Sequence, residues 1–304
     1  METDKRSILV FGATGQQGGS VAYALLQKGW RVRALVRHPD ASKARSLRAA
    51  GVELIQGDFN DLESIRGAMQ GMYGVFSVQP SSPGGDVSDT DEIRFGIAIA
   101  DLTAETKVEH LVYSSGGAVG DKPTGMGHFD SKARIEAHIR GLPIAATIIR
   151  PAAFMEMLLM PGFGLNERRF NFFMRPDQAM QVLAVEDIGK YVDAIFSDKP
   201  QFVGKTLDIA SDVVTGRDLE ATFTLMAGFP INYARFSEAV LEQNPFLRRL
   251  TDLVEDGTLQ GKADLANCRE IVPDLKSFRD WLAQTGREAF KAALGASGTW
   301  AYTT

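Results

Sequence analysis

Cysteine is almost absent from this 304-residue chain: Cys268 is the only one. A single thiol forms no intramolecular disulfide, so the core must hold the fold, and the composition suits a reducing compartment. No basic cluster surrounds Cys268, which reads as a small packed side chain rather than a redox group. Long apolar runs are missing too. Nothing approaches the ~18 residues that would span a bilayer, and no membrane association is expected. The start, Met1-Glu2-Thr3-Asp4-Lys5-Arg6, is polar with no signal-peptide core, which makes the cytoplasm the expected location. The third absence is excess positive charge. Thirty-three Lys and Arg against 38 Asp and Glu leave a formal net charge of −5. The pairs Arg168-Arg169 and Arg248-Arg249 are too small to reverse it, so no direct nucleic-acid binding is expected. Internal repeats, low-complexity tracts and metal-ligand spacings are also lacking.

What is present is globular: 44% apolar and 23% charged residues, in a chain long enough for one large domain or two modest ones. The chain is organised around Gly12-Ala13-Thr14-Gly15-Gln16-Gln17-Gly18, which joins the apolar run 7–11 to a helical pattern beginning near Gly18. Gly12 permits a tight turn, Gly15 lets backbone approach a pyrophosphate, and Gly18 lets the helix pack closely on the sheet. An anion there meets unpaired N–H groups and the positive end of the helix dipole. The spacing G-x-x-G-x-x-G resembles that of extended and atypical short-chain dehydrogenase/reductases.

Strand and helix patterns then alternate. Strands are expected at 31–37, 52–58, 74–78, 110–115 and 145–149, and helices up to Gly29 and at 44–50, 62–69, 92–107 and 131–140, the third of these capped by Asp61. Six such alternations specify a Rossmann-type doubly wound parallel sheet over residues 1–150. Two loops rich in Gly, Ser or Pro, 80–89 and 116–127, leave strand ends beside the cofactor site. After Pro151 the alternation breaks down into a smaller mixed α/β lobe over 151–304, with segments that can return to the Rossmann sheet. Helices are expected there at 154–159, 187–196, 216–226, 236–241 and 273–281, strands at 181–184 and 206–209, and a frayed tail after Gly295.

At the end of strand two, where an NAD enzyme places Asp or Glu on the ribose, stand Val36-Arg37-His38. Arg37 suits a 2′-phosphate, with Lys43 as a second positive charge; otherwise it is a surface arginine. At the end of strand three, Asp58 beside Phe59 suits an adenine amino group next to an apolar shelf, or else caps the approach to the next helix. Gln79, at the end of strand four, belongs to the same cofactor-binding set. The segment Gly127-His128-Phe129-Asp130-Ser131-Lys132 opens a helix. Short-chain reductases place Tyr-x-x-x-Lys here, one helical turn apart, so that both side chains face one site. Lys132 is present, the tyrosine position is His128, and Gly116 follows Ser114-Ser115 where a catalytic serine or threonine commonly stands. His128 is either a site residue or a capping and packing residue of the helix start.

The glycine turn with Gly19-Ser20, Val36-Arg37, Gln56-Gly57-Asp58, His128-Phe129-Asp130-Ser131-Lys132, Arg150-Pro151-Ala152-Ala153-Phe154 and Val185-Glu186-Asp187-Ile188-Gly189 together resemble the NmrA-like family of atypical short-chain dehydrogenase/reductases, to about Trp281. The resemblance implies a Rossmann domain with a small C-terminal lobe and binding of NADP(H) in preference to NAD(H). It implies that Gly12, Thr14, Gly15, Gln16, Gln17 and Gly18 hold the pyrophosphate, Arg37 the 2′-phosphate and Lys132 the nicotinamide ribose, with Phe154 beside the ring. His128 and Lys132 are the catalytic pair if there is turnover. The first functional reading is a redox-responsive regulator acting through a protein partner; the alternative is an NADPH-dependent reductase of a quinone or carbonyl compound. A homodimer is compatible with either.

Overall fold

The computed structural model describes residues 6–82, 87–120 and 122–296. Parts of the two glycine-rich loops (83–86 and 121) and the tail from residue 297 therefore lie outside the described residues. The chain divides into two units, one of residues 1–150 with 185–207 and one of 151–184 with 208–304.

The first unit alternates without a break: β1 (Ser7–Val10), α1 (Gln16–Gln27), β2 (Arg31–Val36), α2 (Ser42–Ala49), β3 (Glu53–Gln56), α3 (Leu62–Met69), β4 (Gly74–Ser77), α4 (Asp89–Glu105), β5 (His110–Ser114), α5 (Gly127–Gly141) and β6 (Ala146–Pro151). Ile8, Leu9 and Val10 are fully buried, as a strand covered by helices on both faces requires. Side by side the strands run β3-β2-β1-β4-β5-β6, the doubly wound order, with parallel pairing throughout these six. Leu9, Phe11, Ile65, Val75, Ile99, Leu111, Ile135 and Ile148 form the core between the sheet and one helical layer.

In chain order the remaining elements are β7 (Ala153–Phe154), β8 (Arg169–Phe172), β9 (Ala179–Leu183), α6 (Val185–Ser197), α7 (Lys199–Phe202), β10 (Thr206–Ile209), β11 (Asp212–Thr215), α8 (Gly216–Ala227), β12 (Asn232–Arg235), α9 (Glu238–Gln243), α10 (Pro245–Glu255), α11 (Leu265–Ile271), α12 (Phe278–Ala283) and α13 (Arg287–Gly295). α6 belongs to the first unit. A Cβ on Gly189 would lie 2.5 Å from the Ser20 carbonyl oxygen, so glycine is what lets α6 press onto α1. β10 adds a seventh strand beside β6.

The second unit has its own core, in which Phe170, Phe223, Phe278 and Phe290 are buried, with Phe170 and Phe223 rings 4.9 Å apart. Its sheets are β11-β9-β7 and β12-β8, and both parallel and antiparallel pairs occur. The stretch 154–159 is a short strand followed by a 3-10 helix over Met155–Leu159 rather than one helix. Two of the expected helices start later, over Glu238–Gln243 and Phe278–Ala283, because Ser237 and Ser277 cap them. No helix among the described residues is long and apolar enough to cross a membrane.

Candidate functional site

The turn after β1 is shaped by contacts that only glycine satisfies. Gly12 has φ +66°, and a Cβ on Gly18 would stand 2.4 Å from the Gly12 carbonyl carbon and oxygen and 2.7 Å from the Ala13 nitrogen. The Gly15 N–H donates to the Gly12 carbonyl at 2.8 Å, which closes the turn. α1 begins two residues ahead of Gly18, at Gln16, with Gly15 as its N-cap. Asp61, Ser88 and Thr215 cap α3, α4 and α8 through their side chains, whereas α1, like α2, has no side-chain cap and no acid in its first turn; of the two, α1 is the one that follows the glycine turn. Its leading amides are open to an anion beside the exposed Thr14, Gly15 and Gln16. Gln17 is turned to another use: its Oε1 accepts from Ser114 Oγ at 2.7 Å, which ties α1 to the end of β5.

Arg37 and Asp58 stand just beyond the carboxyl ends of neighbouring strands β2 and β3. Arg37 is exposed and makes no hydrogen bond or ion pair among the described residues. The Asp58 carboxyl is held below the usual range, chiefly by the Asn60 backbone N–H at 2.8 Å; partial burial opposes this, and the Asn60 amide, Arg37 and Arg94 add to it. Both Asn60 bonds fall on Oδ1. Asp61, not Asp58, caps α3 by accepting from the Glu63 and Ser64 amides. Phe59 is half-buried, between Phe11 at 5.8 Å and Phe95 at 5.1 Å. Gln79 is buried; its amide nitrogen donates to Ser77 Oγ at 2.7 Å, and its Oε1 has no partner. A buried acceptor left so is costly and calls for a donor.

Around α5, Lys132 is saturated. Its ammonium donates to Glu92 Oε1 at 2.5 Å, the His128 carbonyl at 3.0 Å and Ser81 Oγ at 3.3 Å. Glu92, on α4, is 1% exposed and also accepts from Ser131 Oγ at 2.7 Å. Burial, aided by the Lys132 charge and opposed by Asp89 and Asp130, lowers the His128 pKa to about 4, so its imidazole is neutral near pH 7. The ring packs on Phe129, centroids 4.0 Å apart. Gly116 needs no glycine: a Cβ there would meet Lys132 Cδ at 3.5 Å and Phe129 at 3.6 Å, ordinary contacts. Further along α5, the buried Glu136 takes Arg150, Arg140 and Ser115. Burial works against its charge, yet these donors hold the carboxyl below its usual range.

Phe154 belongs to the second unit, half-buried on β7 and paired with Leu183. Glu92 and Glu136 escaped sequence reasoning. The signal for Glu92 was an acid on the apolar face of α4, one turn before Gly96. A polar groove of about 540 Å³, lined by Ser7, Trp30, Arg31, Arg33 and Glu53, opens at the opposite, amino ends of β1–β3. Ligands of doubly wound sheets bind at the carboxyl ends.

The model of the NmrA-like family matches residues 4–269. The NmrA-like family domain-containing oxidoreductase malD of Malbranchea aurantiaca is 32% identical over 298 residues, covering 89% of this chain and 82% of that protein. Among solved structures, NmrA, a negative transcriptional regulator, superposes in complexes with NADP and with NAD at TM-scores of 0.76 and 0.77. Each is 20% identical and covers 95% of this chain and 98% of the other. The NADPH-dependent quinone oxidoreductase of Escherichia coli, complexed with NADPH, superposes at a TM-score of 0.72 and 22% identity, over 92% of this chain and 99% of that one.

Proposed function

The chain belongs to the NmrA-like family, and from that premise we propose that it binds NADP(H) and acts as a redox-responsive regulator through a protein partner. The observation that carries the binding is the uncapped, acid-free start of α1 behind Gly12, Gly15 and Gly18. Thr14, Gln16 and Gln17 complete the pyrophosphate cradle, the last through its amide nitrogen. Arg37, with no ion pair of its own, takes the 2′-phosphate, and this gives NADP(H) its advantage over NAD(H). Asp58 has Oδ2 left for the adenine amino group, with Phe59 as the shelf. Gln79 Oε1 would find its missing donor in a ribose hydroxyl, Lys132 would hold the nicotinamide ribose, and Phe154 is the residue proposed for the ring. Residues 1–150 are the dinucleotide-binding part, and 151–304 supply mainly the smaller lobe, with 185–207 returning to the first unit.

When bound, NADPH supplies a hydride; what this chain supplies for protonation decides between the two readings. The tyrosine position is His128, neutral near pH 7, and the serine position is Gly116. Neither is an acid matched to a developing alkoxide, which favours occupancy without turnover, in the cytoplasm. The oxidoreductase names of malD and the quinone enzyme favour a second reading: an NADPH-dependent reductase of a quinone or carbonyl compound whose proton comes from water or the His128 N–H. Calorimetry with NADPH and NADH, followed by NADPH oxidation against quinones and aldehydes, tests both. Tight binding without oxidation supports the regulator, oxidation supports the reductase, and absence of binding removes both.

A further inference from the structure

Glu92 belongs to no motif that pointed to the site, yet it is the buried charge against which Lys132 is set. The way the helices meet puts it there. Gly96, one turn after Glu92 on α4, faces Ile135, one turn after Ser131 on α5; a Cβ on Gly96 would lie 2.5 Å from Ile135 Cδ1. That glycine lets α4 and α5 approach closely, and one turn earlier the approach brings the Glu92 carboxylate onto Lys132 and Ser131. One carboxylate oxygen takes the ammonium; the other takes Ser131 Oγ at 2.7 Å and Ser81 Oγ at 3.3 Å. All three ammonium protons have acceptors, and the longest of the three bonds goes to the hydroxyl of Ser81. A ligand hydroxyl can replace that contact without uncovering a charge. It cannot replace Glu92, because a half-buried ammonium and a buried carboxylate would then both lose their counter-ion.

We propose that Glu92 is the positioning residue for Lys132: the pair offers a ribose hydroxyl one fixed hydrogen-bond donor and carries no net charge toward the phosphates. This rests on the dinucleotide-binding reading above. It separates Lys132 from Arg37. A loss at the Glu92–Lys132 pair should affect NADPH and NADH equally, since both carry the nicotinamide ribose, whereas a loss at Arg37 should affect NADPH alone.

The test is a double-mutant cycle of full-length protein, Glu92→Gln, Lys132→Gln and both together, titrated with NADPH and NADH, with unfolding curves recorded for each variant. One positioned hydrogen bond corresponds to about a 3- to 10-fold weakening. Each single variant should show it, by the same factor for both dinucleotides, and the double variant should be no weaker than the weaker single. Factors that multiply in the double variant, Glu92→Gln binding like the unmodified protein, or Glu92→Gln binding NADPH more tightly would each overturn the proposal; the last would mean that the ammonium acts as a free charge on a phosphate. Should Glu92→Gln not fold, Glu92→Asp keeps the charge and withdraws it by one methylene. Unchanged binding of both dinucleotides by that variant overturns the proposal, and a parallel loss supports it. Failure of the unmodified protein to bind either dinucleotide refutes the underlying reading instead.

Discussion

Two glycines inside helices of the first unit should respond to alanine in opposite directions, and the sign follows from what each Cβ would meet. At Gly67, in α3, nothing lies within 4 Å. Alanine there removes the entropy cost of a helical glycine and should stabilise by about 0.5–1 kcal/mol. At Gly18, the Cβ would stand 2.4 Å from the carbonyl carbon and oxygen of Gly12. Ordinary contact begins near 3.4 Å, so α1 or the turn must retreat by about 1 Å. Backbone cannot rotate away as a side chain can, and α1 is held from another side where Gly189 of α6 meets Ser20. Gly18→Ala should therefore cost about 3 kcal/mol, the upper end for an overpacked site. The same displacement moves the open amides of α1, and affinity for NADPH should fall at least about tenfold, the worth of one or two displaced hydrogen bonds. Urea unfolding of both variants and calorimetry with NADPH provide the measurements. A Gly18→Ala protein as stable as the unmodified one, with an unchanged dissociation constant, would refute the reasoning.

Other outcomes follow from the same geometry. Arg37→Asp should remove the preference for NADPH over NADH, a charge-assisted pair worth about 1.5–3 kcal/mol, and equal dissociation constants in the unmodified protein would show that no such preference exists. Lys132→Ala should destabilise by about 3–5 kcal/mol, because it strands the buried Glu92 carboxylate, and adding Glu92→Gln should recover most of that in urea unfolding. The buried His110 has a pKa lowered by burial, and by Lys199, to about 4. The folded protein binds fewer protons than the unfolded chain between pH 6.5 and 4, so stability is complete above about 6.5 and is lost as pH falls through that window. The loss at pH 4.5 should be about 2–3 kcal/mol for this group, and His110→Gln should flatten that part of the profile.

The alternation from residue 7 to 151 was legible because each strand is a short apolar run bounded by helix signals, and that fixed the doubly wound sheet. Less legible was what depends on pairing at long range. β8 alternates outward Arg169 and Asn171 with buried Phe170 and Phe172, yet its partner β12 comes some 60 residues later. The amphipathic helix α10, with Leu247 and Val254 buried, is absent from the expected elements although its start is signalled locally, by Asn244 as the cap and Pro245 at the first helical position. In the site, the glycine turn, Arg37 and Lys132 announced themselves through local spacing. The partner of Lys132 lies 40 residues away, and burial, which no local pattern reports, sets the charge state of His128.

That charge state bears on which reading survives. An unperturbed histidine, with a pKa near 6.5, would make any reductase activity fade as pH rises through neutrality. With its pKa lowered to about 4 by burial, His128 is already neutral from pH 5 upward. Turnover that used it as a cationic acid would be confined to pH below about 5, and turnover at pH 7 to 8 must take its proton from the neutral imidazole N–H or from water. His128→Phe keeps an aromatic ring against Phe129 and removes the single N–H donor of the neutral imidazole. Binding of NADPH should survive it in both readings. If NADPH oxidation by a carbonyl acceptor at pH 7.5 falls ~10²–10⁴-fold, the neutral imidazole N–H is the donor and the regulator reading is lost. If oxidation by a quinone persists unchanged, water is the proton source and the chain is a reductase that needs only position and hydride. If neither acceptor is reduced by the unmodified protein, the site binds without turnover, as a regulator requires.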